Sequence, residues 1–292
     1  MKATFYDLGG VTTAEEALDK SESKWRAELV PIQTLGAGDI PAGIKIPDNK
    51  AVVRSDNHAI IGLVGDRYTP LQNSFAYAWF DTACQQNNAK YTSAYVIDGG
   101  RKLILEATVG SPVEIRKGDE TFRKIQLINT FDGSYPFTAI YRVWRQVCKN
   151  GLMGWANENK CKVHHTKNGE VKAGEAMRIL AQGTAYFDKF EAQCKVLAQV
   201  VCDAAMVDKF IKECFSGAEG GTRQKNLINK VTELYEAGKG TGQGTLYDLY
   251  NGYIEWIDHY RSADAETRLA NSVLGASYLK EEAWKTAVAL AN

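Results

Sequence analysis

No net charge is left over in this 292-residue chain, because 35 Lys and Arg balance 35 Asp and Glu. That excludes a bulk polycation or an acidic mimic, so any site for a polyanion must come from local segregation of charge. No apolar run approaches the ~20 residues of a membrane span. Met1 to Gly10 lacks a cationic region followed by an apolar stretch, so it reads as no secretory signal. The six cysteines, Cys84, Cys148, Cys161, Cys194, Cys202 and Cys214, include no pair at CxxC spacing. The expectation is a reduced, cytoplasmic protein. With 45% hydrophobic and 24% charged residues, the composition is globular, and the chain is long enough to bury a core without staples.

Catalytic motifs are missing as well. There is no GxSxG and no HExxH. Gly238-Lys-Gly-Thr241 invites a phosphate-loop reading, but Lys239 is followed by Gly and no strand leads into it. Cys148, Cys161, His164 and His165 could be drawn as a zinc set, yet structural zinc normally uses two tight ligand pairs. Asp132 could serve a metal, although Asp-Gly-Ser is more often a turn. No residue is assigned a catalytic role, and no metal or cofactor is expected.

What the chain does have is a segregated stretch of cations. Residues 142–172 carry Arg142, Arg145, Lys149, Lys160, Lys162, Lys167 and Lys172 against Glu158 and Glu170. Tyr141, Trp144, Trp155, His164 and His165 are interleaved or adjacent. Clustered cations neutralise phosphates, and aromatic faces stack on bases. The competing reading is a solvated basic face around core tryptophans.

Periodicity and turn residues give the organisation. Thr13 and Glu16 fit a capping box that opens a helix to about Lys20. Strands are expected at Trp25–Pro31, Ala51–Ser55 and Ala59–Val64, the last two forming a hairpin. Pro70 opens a helix to about Gln86, with Phe75, Ala78, Trp79 and Ala83 on one face. Tyr91–Ile97 and Lys102–Val109 flank Asp98-Gly-Gly100, and Phe122–Asn129 and Phe137–Val147 flank Asp132-Gly-Ser134. Cys161–His165 reads as a short strand. From Glu175 to Phe215 apolar residues recur at helical spacing, including Met177, Leu180, Phe187, Phe190, Cys194 and Val201. One unbroken helix there would span roughly 60 Å, so it either breaks or belongs to an elongated assembly. Helices follow at Arg223–Ala237, Leu246–Tyr260 and Lys280–Leu290, with a glycine-rich loop at Gly238–Gly244. The fold class is α+β: a mostly antiparallel sheet with an inserted helix over about 25–165, then a helical C-terminal part. The expected domains are 1–171, a mixed β-sheet domain with the basic segment, and 172–292, a helical region.

Val52-Val-Arg-Ser-Asp56, Ile61-Gly-Leu-Val-Gly-Asp-Arg-Tyr68 with Gln72-Asn73, Gly99-Gly-Arg101, Asn129 and Asp132-Gly-Ser134 together resemble one family, the phage and plasmid-like proteins built around the DUF932 domain. Arg145-Gln-Val-Cys-Lys-Asn150 resembles the family's Arg-x-x-Cys-x-Asn block, and Val163-His-His-Thr166 its His-Thr block. Thr245 to His259 resembles its C-terminal Asn…Asp-His block. The resemblance implies a phage or plasmid origin, hence the host cytoplasm. The sheet-then-helix layout is in turn similar to single-strand annealing proteins of the Rad52 and Redβ kind, a likeness of fold alone. It implies ATP-independent annealing, a ring or filament of identical subunits, and single-stranded DNA as partner.

The leading functional expectation is therefore a single-stranded DNA-binding protein. Its expected contacts are Arg142, Arg145, Lys149, Lys160, Lys162 and Lys167, with Arg101 and Lys102 as outliers, Trp144 or Trp155 either stacking on bases or belonging to the core, and Asn150 either reaching a base edge or capping the following helix. The alternatives are a metal-dependent DNA-processing enzyme using Asp132, His164 or His165, and a factor that binds a host protein. For Arg145 there is a specific structural alternative, a buried ion pair.

Overall fold

The computed structural model describes residues 2–147, 150–152, 160–180, 183–215, 221–262, 264 and 277–292. The strands are β1 (Ala3–Asp7), β2 (Ala27–Gln33), β3 (Lys45–Arg54), β4 (Ile60–Gly65), β5 (Ala89–Ile97), β6 (Lys102–Arg116), β7 (Asp119–Thr130), β8 (Phe137–Arg145), β9 (Asn150–Leu152) and β10 (Lys160–Val163). The helices are α1 (Ala14–Lys20), α2 (Asn73–Gln86), α3 (Gly169–Leu180), α4 (Gly183–Leu197), α5 (Ala204–Cys214), α6 (Thr222–Ala237), α7 (Leu246–Glu255, continued by a π turn to Tyr260) and α8 (Ser277–Leu290). The fold is α+β, with a mostly antiparallel sheet and the helices toward the C-terminus, as expected. One sheet has the order β1-β5-β6-β7-β8-β10, with β9 also paired to β8; β2-β3-β4 form another.

The chain forms two compact units. Unit 1 holds residues 1–108, 125–140 and 161–181, and unit 2 holds 109–124, 141–160 and 182–292. They interleave rather than following one another at residue 171, because the boundaries fall inside β6, β7 and β8.

In unit 1, Thr13 caps α1 by accepting from the Glu16 N–H at 3.2 Å. The Glu16 carboxylate reaches back to the Thr12 N–H at 3.0 Å, closing the turn. Helix α2 buries Asn73, Ala76, Tyr77, Trp79, Phe80, Ala83 and Cys84. The expected face was rotated: Ala78 is exposed, because Ala76, Tyr77 and Phe80 hold the core side. Trp79 meets Phe137 edge-on at 5.3 Å and donates to the Ala173 carbonyl of α3 at 2.8 Å. Trp25, Ala27, Val52, Ile61, Val64 and Phe131 make a small core between the β2-β3-β4 sheet and the end of β7. Gly62 is what lets β4 lie there, since a Cβ would stand 2.2 Å from the Phe131 carbonyl oxygen.

In unit 2 the long helical stretch of the sequence is broken. After α4 the chain runs extended through Val200 to Cys202, where the Val200 carbonyl accepts from Leu246 N at 2.9 Å and Cys202 N donates to the Gly244 carbonyl at 2.8 Å. Asp203 then restarts the chain as N-cap of α5, accepting from Met206 N. The break leaves Val201 exposed and removes the argument for an assembly based on helix length. All ten residues of α7 are buried, its polar Asp248, Asn251 and Glu255 as well as its apolar and aromatic residues. Phe190 stacks on Trp284 at 4.4 Å, and Tyr250 meets Trp284 at 5.4 Å, joining α4, α7 and α8.

Four charged residues of unit 2 form one cluster: Arg145, Asp119 and Asp248, which are buried, and Arg116, which is half-buried. Arg145 is fully buried, and its guanidinium grips both oxygens of Asp119, with Nε–Oδ1 at 2.7 Å. Arg116 joins Asp119 at 3.3 Å and Asp248 at 2.5 Å. Both arginines also donate to the Gly240 carbonyl and lie over the Tyr247 ring. Asp248 completes a capping box with Thr245. Removing one partner leaves an uncompensated buried charge, so Arg145→Ala should destabilise the protein by ~3–5 kcal/mol. Thermal and denaturant melts check this, and an unchanged melt would contradict the pairing.

Candidate nucleic-acid interface

The sequence-predicted contact residues divide between the two units. In unit 2, Arg145 is committed to Asp119, and Arg142 is only 3% exposed. Neither guanidinium faces solvent where a phosphate could reach it. This corrects the expectation for both: their cationic ends are interior on β8. Trp144 is half-buried beneath Lys124, whose Nζ lies 4.9 Å from the ring centroid. Lys160 is half-buried on β10. The Lys149 and Trp155 expectations lie outside the described residues, and for Asn150 only the backbone is described. Gly151 is held by a buried pair: its N–H donates to Asp258 at 3.0 Å, and its carbonyl accepts from Lys280 at 2.8 Å.

Unit 1 carries the remainder. Lys162 and Lys167 are exposed, as is Arg101, and Lys102 reaches to 3.9 Å from Asp132. Lys167 borders a group of residues that sequence reasoning had not gathered into one site.

Three segments, 65–71, 129–136 and 164–169, converge there. Thr69 N donates to the His165 carbonyl at 3.0 Å, and Leu71 N donates to His165 Nδ1 at 3.3 Å. Asn129 Nδ2 donates to the Leu71 carbonyl at 2.9 Å. Tyr68 stacks on His165, with centroids 4.9 Å apart and planes 13° from parallel, and its hydroxyl donates to the Thr130 carbonyl at 2.7 Å. Thr130 also fixes Tyr135, through Oγ1 to the Tyr135 carbonyl at 2.8 Å. Asp132 accepts from Ser134 N at 3.0 Å and from Ser134 Oγ at 2.5 Å, so the Asp-Gly-Ser segment is the turn its composition suggested.

Above this frame lies a cavity of about 550 Å³ lined by Arg67, Tyr68, Ser134, Tyr135, His164, His165 and Thr166, among others. A neighbouring one of about 380 Å³ is lined by Asp66, Arg67, Thr69, Thr166, Lys167, Asn168 and Lys172. Arg67, His164, Lys167 and Lys172 are exposed. Asp66 is held by Lys50 at 3.4 Å, which leaves the cations in excess. Tyr135 is 38% exposed.

His165 is buried at 6% exposure. Burial pushes its imidazole down to about 4; His164 adds to that, and Asp132 opposes it. It is therefore neutral at pH 7. Because Nδ1 accepts from Leu71, the hydrogen sits on Nε2, which has no hydrogen-bond partner. Among the described residues no three of His, Cys, Asp and Glu form a group that could hold a metal ion. No described helix is long and apolar enough to cross a membrane.

The arrangement is that of an α+β protein with a cationic, hydroxyl-bearing pocket. Residues 60–283 match the family model described as Domain of unknown function (DUF932), and the chain belongs to that family. No curated protein and no solved structure matches the chain. Arg67 and Tyr68, which the contact list had missed, stand within the Gly65-Asp-Arg-Tyr68 block that carried the resemblance. Nothing in the sequence marks Tyr135 as an exposed residue rather than a core one.

Protonating His165 opposes folding, because its folded-state value lies below the ordinary one. That stability is fully present above pH ~6.5 and should fall by about 3 kcal/mol as pH drops through about 4. Denaturant midpoints between pH 7 and pH 4 check it, with His165→Gln expected to flatten the dependence.

Proposed function

We propose that this protein binds single-stranded DNA through the unit 1 surface around Arg67, Lys162, Lys167 and Lys172. The observation that carries the reading is that exposed cations and an exposed aromatic residue line two cavities that share Arg67 and Thr166. Arg67, Lys167 and Lys172 border the two cavities, Lys162 lies on the adjoining β10, and Tyr135 lines the first cavity. Phosphates want the cations, and an unpaired base wants the ring. Annealing, with its ring or filament of identical subunits, is the form of this activity that the likeness to Rad52 and Redβ proteins suggests.

Compared with the sequence expectation, the surface loses Arg142 and Arg145 and gains Arg67 and Lys172. For Arg145 the physical reason is the Asp119 carboxylate it already holds in the interior, and for Arg142 it is the burial of its side chain.

Four phosphate contacts give an affinity whose logarithm falls with log salt at a slope near −3, from about −0.7 per contact on single strands. Fluorescence anisotropy with single- and double-stranded oligonucleotides at several salt concentrations measures it. Lys167→Ala with Lys172→Ala should weaken binding and bring the slope to about −1.5 while leaving the melt unchanged, since exposed cations contribute little to stability. Equal, salt-indifferent binding of both DNA forms would refute the proposal.

A further inference from the structure

The β2-β3-β4 sheet of unit 1 is apolar on both faces. Successive side chains of a strand point to opposite faces, so the pairing register sorts them. Leu29, Val52, Ile61 and Val64 fall on the side of Trp25 and Phe131, in the small core. On the other side lie Val30 and Ile32 of β2, Ala51 and Val53 of β3, and Ile60 and Leu63 of β4. The register shift between Val52 and Val53 is what keeps both Ile60 and Leu63 on that side. Glu28, paired with Val53, is the one charged side chain among the residues so placed. An antiparallel sheet that turns one face to water normally makes that face polar. Here Ile60 and Leu63 are each 65% exposed.

The apolar surface continues along the β2–β3 hairpin. Asn49 is the last residue of β3 that pairs with β4, and every residue from Leu35 to Asn49 is exposed. The turn is nonetheless ordered by its own backbone, with Thr34 N donating to the Ile44 carbonyl at 2.9 Å and Gly43 N to the Thr34 carbonyl at 2.8 Å. It holds Leu35, Ile40, Ile44 and Ile46 in water. Seven of the fifteen exposed large hydrophobic residues among those described lie between Val30 and Leu63, so this surface is a concentration and not scatter. Their exposed fractions amount to about four whole residues, or roughly 700 Å². Soluble monomers rarely leave contiguous apolar patches beyond a few hundred Å² open, and each partner of a standard interface contributes about 800 Å².

The register also gives the face a shape that matches itself. Val30, Ala51 and Leu63 stand side by side across the three strands. Val30 is 41% exposed and Ala51 only 7%, so the row has a knob at Leu63 and a trough at Ala51. Packed sheets interdigitate the side chains of their inner faces. A twofold axis sets each knob over the other copy's trough, and one operation satisfies both. A different partner would have to be selected by charge, and this face offers one carboxylate. We propose that a second copy of the chain docks here, sheet face against sheet face, with Leu63 of each copy seated on Ala51 of the other. The inference goes beyond the DNA-binding reading and uses none of its cations. A twofold contact closes at two copies, so a ring or filament requires a further surface.

Three measurements test the pair, all without DNA. Light scattering over a concentration series should reach twice the mass of one chain below ~100 µM, because interfaces of this size bind at micromolar strength or better. The mass of one chain throughout overturns the proposal and leaves the face to another protein. Leu63→Ala removes the knob at an exposed position. It should raise the dissociation constant about a hundredfold, since each buried leucine contributes roughly tenfold and the pair holds two. A pair indifferent to the substitution forms elsewhere and overturns the proposal. The third measurement uses the unaltered chain. Chains labelled only at leucine methyls are mixed with chains labelled only at alanine methyls, and a Leu63–Ala51 cross-peak is expected. Leu63 and Ala51 are neighbours within one chain, so only the mixed sample isolates the contact between copies. A paired sample without that cross-peak overturns the knob-and-trough contact. Lys167 and Lys172 are untouched throughout, so failure of the pair leaves DNA binding standing, and loss of DNA binding leaves the pair standing.

Discussion

A guanidinium taken out of water must find its counter-charge inside the protein, and unit 2 is arranged around one such requirement. Arg145 and Arg116 share Asp119, Arg116 continues to Asp248, and both hold the Gly240 carbonyl. Asp248 is at once the counter-charge of β6 and the cap of α7. The hairpin β6–β7, the end of β8, the glycine-rich loop and the start of the buried helix are therefore set by the same four side chains. The loop's sequence follows from this. A Cβ at Gly240 would stand 2.7 Å from Val147 and 2.9 Å from the Arg145 guanidinium. A segment that invited a phosphate-loop reading is instead a backbone strap presenting its carbonyls to arginines.

Unit 1 uses neutral hydrogen bonds where unit 2 uses charge. Backbone N–H groups of Thr69 and Leu71 and the amide of Asn129 define the position of His165, and a stacked tyrosine defines its plane. Such a frame orders a pocket without filling it. The cations then stand at the rim, in water, where they are available to a ligand and contribute little to the fold.

Local signals in the sequence were legible and long-range ones were not. The capping box at Thr13, the hairpin at Asp56–His58, the positive-φ run at Asp98–Gly100 and the Asp132 turn all depend on residues within a few positions of one another. The face of α2 and the continuity of 175–215 depend on partners far away. Val200 and Cys202 leave the helical path because Gly244 and Leu246 bond to them. The same holds for the site. The basic density of 142–172 was real, but whether an arginine is a surface cation or an interior one is decided by Asp119, 26 positions from Arg145. Arg67 and Ser134 carry no signal alone, and only folding brings them to His165.

The interleaving of the two units has a consequence for how the chain is made. During synthesis the chain passes from one unit to the other five times before it ends. Unit 1 has all its segments once Ala181 has emerged, whereas the first segment of unit 2, residues 109–124, must wait for residues 182–292. For most of that interval Arg116 has been made and Asp248 has not. A nascent chain therefore carries an unfinished charge cluster past the point where its first unit can close. Native contacts of such sequence separation form slowly, so maturation of the second unit is governed by the arrival of the C-terminal helices.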